Sequence, residues 1–179
     1  MTIGYKFIIM KFTLHFTRQS LLYVFRIVLG CLLSWWVLNL LHIEKKEWAL
    51  ISVIIVSEPD FVNLRSNTIS RMINTLSGCA IGLLFLLITG VNFHSLIIAI
   101  TASILISTSF PKYPSSWKLA PVTVVIVMVP SILEHMLLRE ALVIALTRAS
   151  EVLVGCIVAF LLGLMFATLN QRKDKKSIS

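Results

Sequence analysis

The stretch RMINTLSGCAIGLLFLLITG, Arg71–Gly90, puts an arginine, an asparagine and two hydroxyls at the head of an apolar run. The pattern returns as RASEVLVGC, Arg148–Cys156, with arginine, glycine and cysteine at the same offsets and a second apolar run behind it. Seven residues are nearly two helical turns, so Arg71 and Gly78 share one helix face, as do Arg148 and Gly155. The first face continues through Asn74 and Gly82, the second through Glu151, Ala159 and Gly163. Small residues four apart let helix backbones approach closely, which drives helix packing where lipid removes the hydrophobic force. Gly78, Gly82, Gly155, Ala159 and Gly163 therefore read as packing positions.

Composition sets the solvent. Of 179 residues, 58% are hydrophobic and 13% charged, against about 25% charged in soluble domains. That excess of apolar residues points to the bilayer. Apolar segments fall at 20–41, 48–57, 63–89, 95–110, 117–133 and 139–169. The expected fold is an all-α polytopic membrane protein of about six transmembrane helices. Its parts are an N-terminal segment 1–17, a membrane module 18–169 and a basic tail 170–179. The N-terminus has no small-residue cleavage site and is expected to be retained. Segment two is short and stops at Glu58-Pro59, since proline removes a helix donor and disfavours helical geometry before it.

With six spans and a cytoplasmic N-terminus, twelve of the 16 Lys and Arg residues fall inside; Lys45, Lys46, Arg139 and Arg148 fall outside. The bias places both termini of this multi-pass chain in the cytoplasm. Three helices precede residue 90 and three follow, so the repeated motif would relate helices that cross in opposite directions, as two inverted three-helix repeats. Trp48 and Trp117 open the second and fifth segments, and Pro59 and Pro130 follow them.

The net charge of +8 flanks apolar segments instead of forming a basic face, which favours headgroups over nucleic acid. No nucleic-acid partner is expected. Cys31, Cys79 and Cys156 each follow a glycine inside an apolar run and show no metal spacing, so no metal, cofactor or catalytic residue is assigned.

An arginine inside a membrane costs at least about 2.5–3.5 kcal/mol on insertion scales and usually pairs or faces water. Arg71 and Arg148 either snorkel to the interfaces or attract a small anionic substrate from opposite ends of a cavity, with Trp48 as a further binding residue. Glu151, one turn after Arg148, reads first as its ion-pair partner. Glu58, Asp60 and Glu151 are the candidates for proton coupling, Glu58 and Asp60 on the condition that the break at Pro59 lies within the bundle.

WALISVIIVSEP, then RMINTLSGCAIGLLF, then RASEVLVGCIVAFLLGLMF resemble the membrane module of the fusaric acid resistance and aromatic acid exporter family. Trp48, Pro59, Arg71, Thr75, Gly78, Arg148, Glu151 and Gly155 match its pattern, and the resemblance covers about residues 18–169. It implies a place in the inner (cytoplasmic) membrane and export across it of aromatic or other hydrophobic carboxylic acids, driven by the proton gradient. Asn74 departs from the glycine expected before Thr75. The chain is also much shorter than typical exporters of this kind, so a half-size unit is expected to homo-oligomerise or to work with a partner membrane or periplasmic subunit. The alternative is a non-transporting subunit or scaffold that packs with partner helices.

Overall fold

A computed structural model of the protein describes residues 17–109 and 118–178, with side chains to residue 168 apart from Arg18. Expectations about residues 1–16, Lys112 and Trp117, and about the side chains of the basic tail, lie outside the described residues. The elements are α1 (Arg18–Leu40), α2 (Glu47–Val56), α3 (Phe61–Thr89), α4 (Phe93–Thr108), α5 (Leu119–Leu133) and α6 (Leu138–Ile178). All described regular structure is helical. The sixth helix does not stop at residue 169 but carries on through the basic tail to Ile178.

Local chemistry sets the helix starts. Thr17, Asp60 and Asn92 accept amide hydrogen bonds from Ser20, Asn63 and Ser95, satisfying otherwise unpaired first-turn donors of α1, α3 and α4. Glu140 reaches back to accept from the Leu137 amide at the head of α6. Two ends use the left-handed region without glycine. His42 (φ 54°) and His135 (φ 50°) follow α1 and α5, where Ile43 and Met136 donate back to the Leu38 and Ser131 carbonyls.

Three helices are long and apolar enough to cross a membrane: Gln19–Leu40, Phe61–Thr89 and Leu138–Thr168. The others are shorter. The ten residues of α2 reach only about 15 Å at 1.5 Å per residue, half of a hydrocarbon core of about 30 Å. Much of the bundle's outer surface is apolar: Leu32, Trp36, Leu87, Phe93, Leu105 and Leu146 are all exposed. That is the surface lipid would cover.

The centre is the antiparallel pair α3 and α6. Leu64 meets Gly163, and Cys79 Sγ lies 3.5 Å from the Ala145 carbonyl, so position rises along one helix as it falls along the other. Around this pair, α2 packs on α6 and α5 on α3; α1 packs on α6 and α2, α4 on α3 and α5. The glycines explain how closely. A methyl group on Gly78 would stand 2.5 Å from the Ala120 carbonyl oxygen of α5, and one on Gly155 would collide with the Ala49 carbonyl of α2. The buried stripes of the two short helices align from these contacts: Ala49, Ser52, Val53 and Val56 against Ala120, Thr123, Val124 and Val127. In this register Pro59 still matches Pro130, but Trp48 falls opposite Leu119, not Trp117.

Candidate functional site

The second helix begins beside the middle of α6, and this brings Trp48 under Arg148. The Arg148 guanidinium carbon is 4.7 Å from the Trp48 ring centroid, a cation–π distance. Its Nη1 is 3.3 Å from Glu151 Oε2, one turn on. Among the described residues this is the one ion pair. Arg148 is 17% exposed, whereas Glu151 is fully buried, and Glu151 Oε1 has no hydrogen-bond partner. A carboxylate with one oxygen paired and the other bare is costly to keep ionised in an apolar interior.

Arg148 opens on a recess of about 330 Å³, lined by His42, Ile43, Glu44 and Lys45 of the α1–α2 connection and by Val143, Ile144 and Thr147 of α6. Glu47, immediately before Trp48, is near enough for its charge to act on both Arg148 and Glu151. Sequence reading did not single it out, although its place beside Trp48 was a signal. Trp48 also borders an apolar recess of about 480 Å³ between α4 and α5, with Lys118 at its edge. The indole thus stands between a charged and an apolar recess.

Arg71 is placed differently. It is 5% exposed, and its Nε donates to Ser52 Oγ at 3.3 Å. Ser52 in turn donates to the Trp48 carbonyl at 2.6 Å. This hydroxyl therefore links Arg71 to the backbone of α2, one helical turn from the Arg148 stack. The two arginines also cross the repeated motif: Arg71 lies near Cys156, and Arg148 near Cys79. Arg71 lines none of the three recesses. The recesses described do not join the two arginines; α2 does, through Ser52 and Trp48.

Of the other acids, Asp60 is exposed and caps α3, its Oδ2 accepting from the Asn63 amide at 3.1 Å. Glu58 is half-buried, and its Oε1 accepts from Asn67 Nδ2 at 3.4 Å. Both lie far along α2 from Arg148. The break at Pro59 is drawn into the bundle by α1, where the Tyr23 hydroxyl donates to the Ser57 carbonyl at 3.0 Å and Arg26 Nη2 donates to the Glu58 carbonyl. Asn74 and Thr75 are buried on the face of α3 that carries Arg71. Gly78, Gly82, Gly155, Ala159 and Gly163 are all buried between helices.

The described residues hold no group of three or more His, Cys, Asp or Glu side chains placed to bind a metal. A half-buried arginine on a tryptophan, opposed by a buried acid, suits the recognition of a monoanion with an apolar body. Compared with known proteins, residues 32–162 match a family model described as fusaric acid resistance protein-like. No curated protein and no solved structure matches the chain.

Proposed function

The chain belongs to the fusaric acid resistance protein-like family, and from that premise we propose that it exports small aromatic or other hydrophobic carboxylic acids across the inner membrane. Family membership itself supports a membrane transport or resistance role; the substrate, direction and coupling are our reading. One observation carries that reading: Arg148, stacked on Trp48 and open to a recess, shares its charge with a buried Glu151 whose second oxygen is bare.

In this reading the substrate carboxylate replaces Glu151 on Arg148, and Trp48 offers its ring to the apolar body. Glu151 takes up a proton from the outer side once the anion has left and gives it up inside before the next anion binds, so proton entry and anion exit alternate. Arg71 supplies a fixed positive charge behind α2 and positions Trp48 through Ser52. Glu58 would be an inner station for the proton, with Asp60 beside it at the mouth.

We read the frame as two inverted three-helix units with both termini cytoplasmic. The exchange of partners supports this, since swapping α1 with α4, α2 with α5 and α3 with α6 leaves the pattern of packed helices unchanged. A half-size unit of this kind works as a homo-oligomer or with a partner subunit.

The decisive measurement is flux of aryl carboxylates in reconstituted vesicles under a proton gradient, with an uncoupler control. Arg148→Gln is expected to reduce flux at least tenfold at unchanged abundance, and Glu151→Gln to make the remaining flux insensitive to the gradient. Normal, gradient-driven flux by both variants would remove the site assignment. A second reading, a scaffold without transport, is favoured by the burial of Arg71 away from every recess described; absence of flux for a whole panel of acids would select it.

A further inference from the structure

At the other end of α6 lies a recess of about 270 Å³ that neither arginine of the repeated motif reaches. It is lined by Gln19, Tyr23 and Arg26 of α1, Phe61 of α3, and Phe166 and Ala167 of α6. Arg26 is 8% exposed. Its Nη2 donates to the Glu58 carbonyl, its Nε is buried without a partner, and its guanidinium carbon is 5.6 Å from the Tyr23 ring centroid. No described carboxylate pairs with it within salt-bridge distance.

We propose that this recess is a second binding site, for a small aromatic monocarboxylate whose carboxylate meets Arg26 and whose ring lies against Phe61 and Phe166. A guanidinium carries five donors in a fork that fits a carboxylate. One carbonyl bond leaves most of that capacity unused, and no described carboxylate bonds to the cation. The walls are aromatic and braced: Phe166 against Phe25 at 6.5 Å between centroids, Phe61 against Phe160 at 5.8 Å. Its volume lies just under the roughly 300–1,000 Å³ of drug-sized sites, which suits one or two fused rings.

The neighbouring acid sets the charge. Glu58 is held by Asn67 and acts on Arg26 from beyond bonding distance, so one negative charge is welcome and a second meets repulsion. The site therefore prefers monocarboxylates to dicarboxylates. It takes its substrate class from the proposed function but uses different residues, on the side that the charge bias assigns to the cytoplasm.

The test is equilibrium binding of 2-naphthoate to the full chain in phosphatidylcholine nanodiscs. Wild type is expected to show two sites. Arg26→Gln should weaken one at least tenfold and Arg148→Gln the other. Ala167→Trp fills the recess while Arg26 itself is retained, and should also remove the Arg26-dependent site; a purely structural Arg26 would leave binding in this variant unchanged. Neutral 2-naphthamide should bind this site at least tenfold more weakly.

Retention of both sites in Arg26→Gln or Ala167→Trp overturns the proposal, as does equal binding of the amide. Loss of the Arg26-dependent site on adding phosphatidylglycerol would also overturn it, making the recess a lipid phosphate site; persistence supports the free acid. A single site that depends on Arg26 would sustain this inference and sink the Arg148 reading, and a single site that depends on Arg148 would do the reverse.

Discussion

Gly78 and Gly155 occupy equivalent places in the repeated motif and touch equivalent atoms, the carbonyls of Ala120 and Ala49. A backbone carbonyl cannot swing aside as a side chain can. Gly78→Ala and Gly155→Ala are therefore each expected to destabilise the purified protein by about 1–3 kcal/mol, the usual cost of overpacking. At Gly82 an added methyl group would stand 3.5 Å from Val127, an ordinary contact. Gly82→Ala should be neutral or stabilising by up to about 1 kcal/mol, because alanine favours the helix. Thermal unfolding in detergent compares the three, and an equal loss at Gly82 would refute the account. The spacing of four among small residues predicted this face, but sequence alone could not rank its members. Rank depends on what lies opposite, and the partner helices α2 and α5 are far away in the chain. The same limit applies to the arginines: their offset showed that they were alike, while only tertiary packing shows that Arg148 borders a recess and that Arg71 is bonded to Ser52 of α2.

At the scale of elements, the short helices have the more informative differences. Ser52 and Thr123 sit at matching positions of α2 and α5, both fully or nearly buried. Thr123 spends its hydroxyl on its own helix, donating to the Leu119 carbonyl at 3.0 Å. Ser52 does the same toward Trp48 but also accepts from Arg71 Nε. Ser52→Ala should thus cost about 1.5–3 kcal/mol, the range for a hydrogen bond to a charged group. Thr123→Val, which loses only a local back-bond to the helix, should cost clearly less. Chemical denaturation of the two variants checks the order, and a reversed order would break the link from Arg71 to α2. The existence of all six helices, and their approximate ends apart from the C-terminal end of α6, could be read from apolar runs, Pro59 and the flanking charges. The register of α2 against α5 could not. Matching tryptophans attracted the alignment to Trp117, whereas the contacts at Gly78 and Gly155 fix it at the alanines.

For the molecule as a whole, the contrast is between six apolar helices and the three that, among the described residues, are long enough to span. The α2–α3 corner is bonded to Tyr23 and Arg26, five and eight residues into α1, which places it about 8–12 Å in from that helix's start. A short α2 therefore needs to cover less depth than a full span, because its inner end stops inside the bundle. The proposed topology puts Glu44 and Glu134 on the outer side and Asp60 on the inner side. In cells, with Cys31, Cys79 and Cys156 replaced by alanine, Glu44→Cys and Glu134→Cys should react with a membrane-impermeant maleimide added outside. Asp60→Cys should react only after permeabilisation, and more slowly than either, because its corner is recessed. Reaction of Asp60→Cys from outside, at a rate matching Glu44→Cys, would place both ends of α2 on one side. It would turn α2 into a re-entrant segment, leave α3 crossing from the opposite side, and break the proposed equivalence of α2 with α5, and with it the two inverted three-helix units.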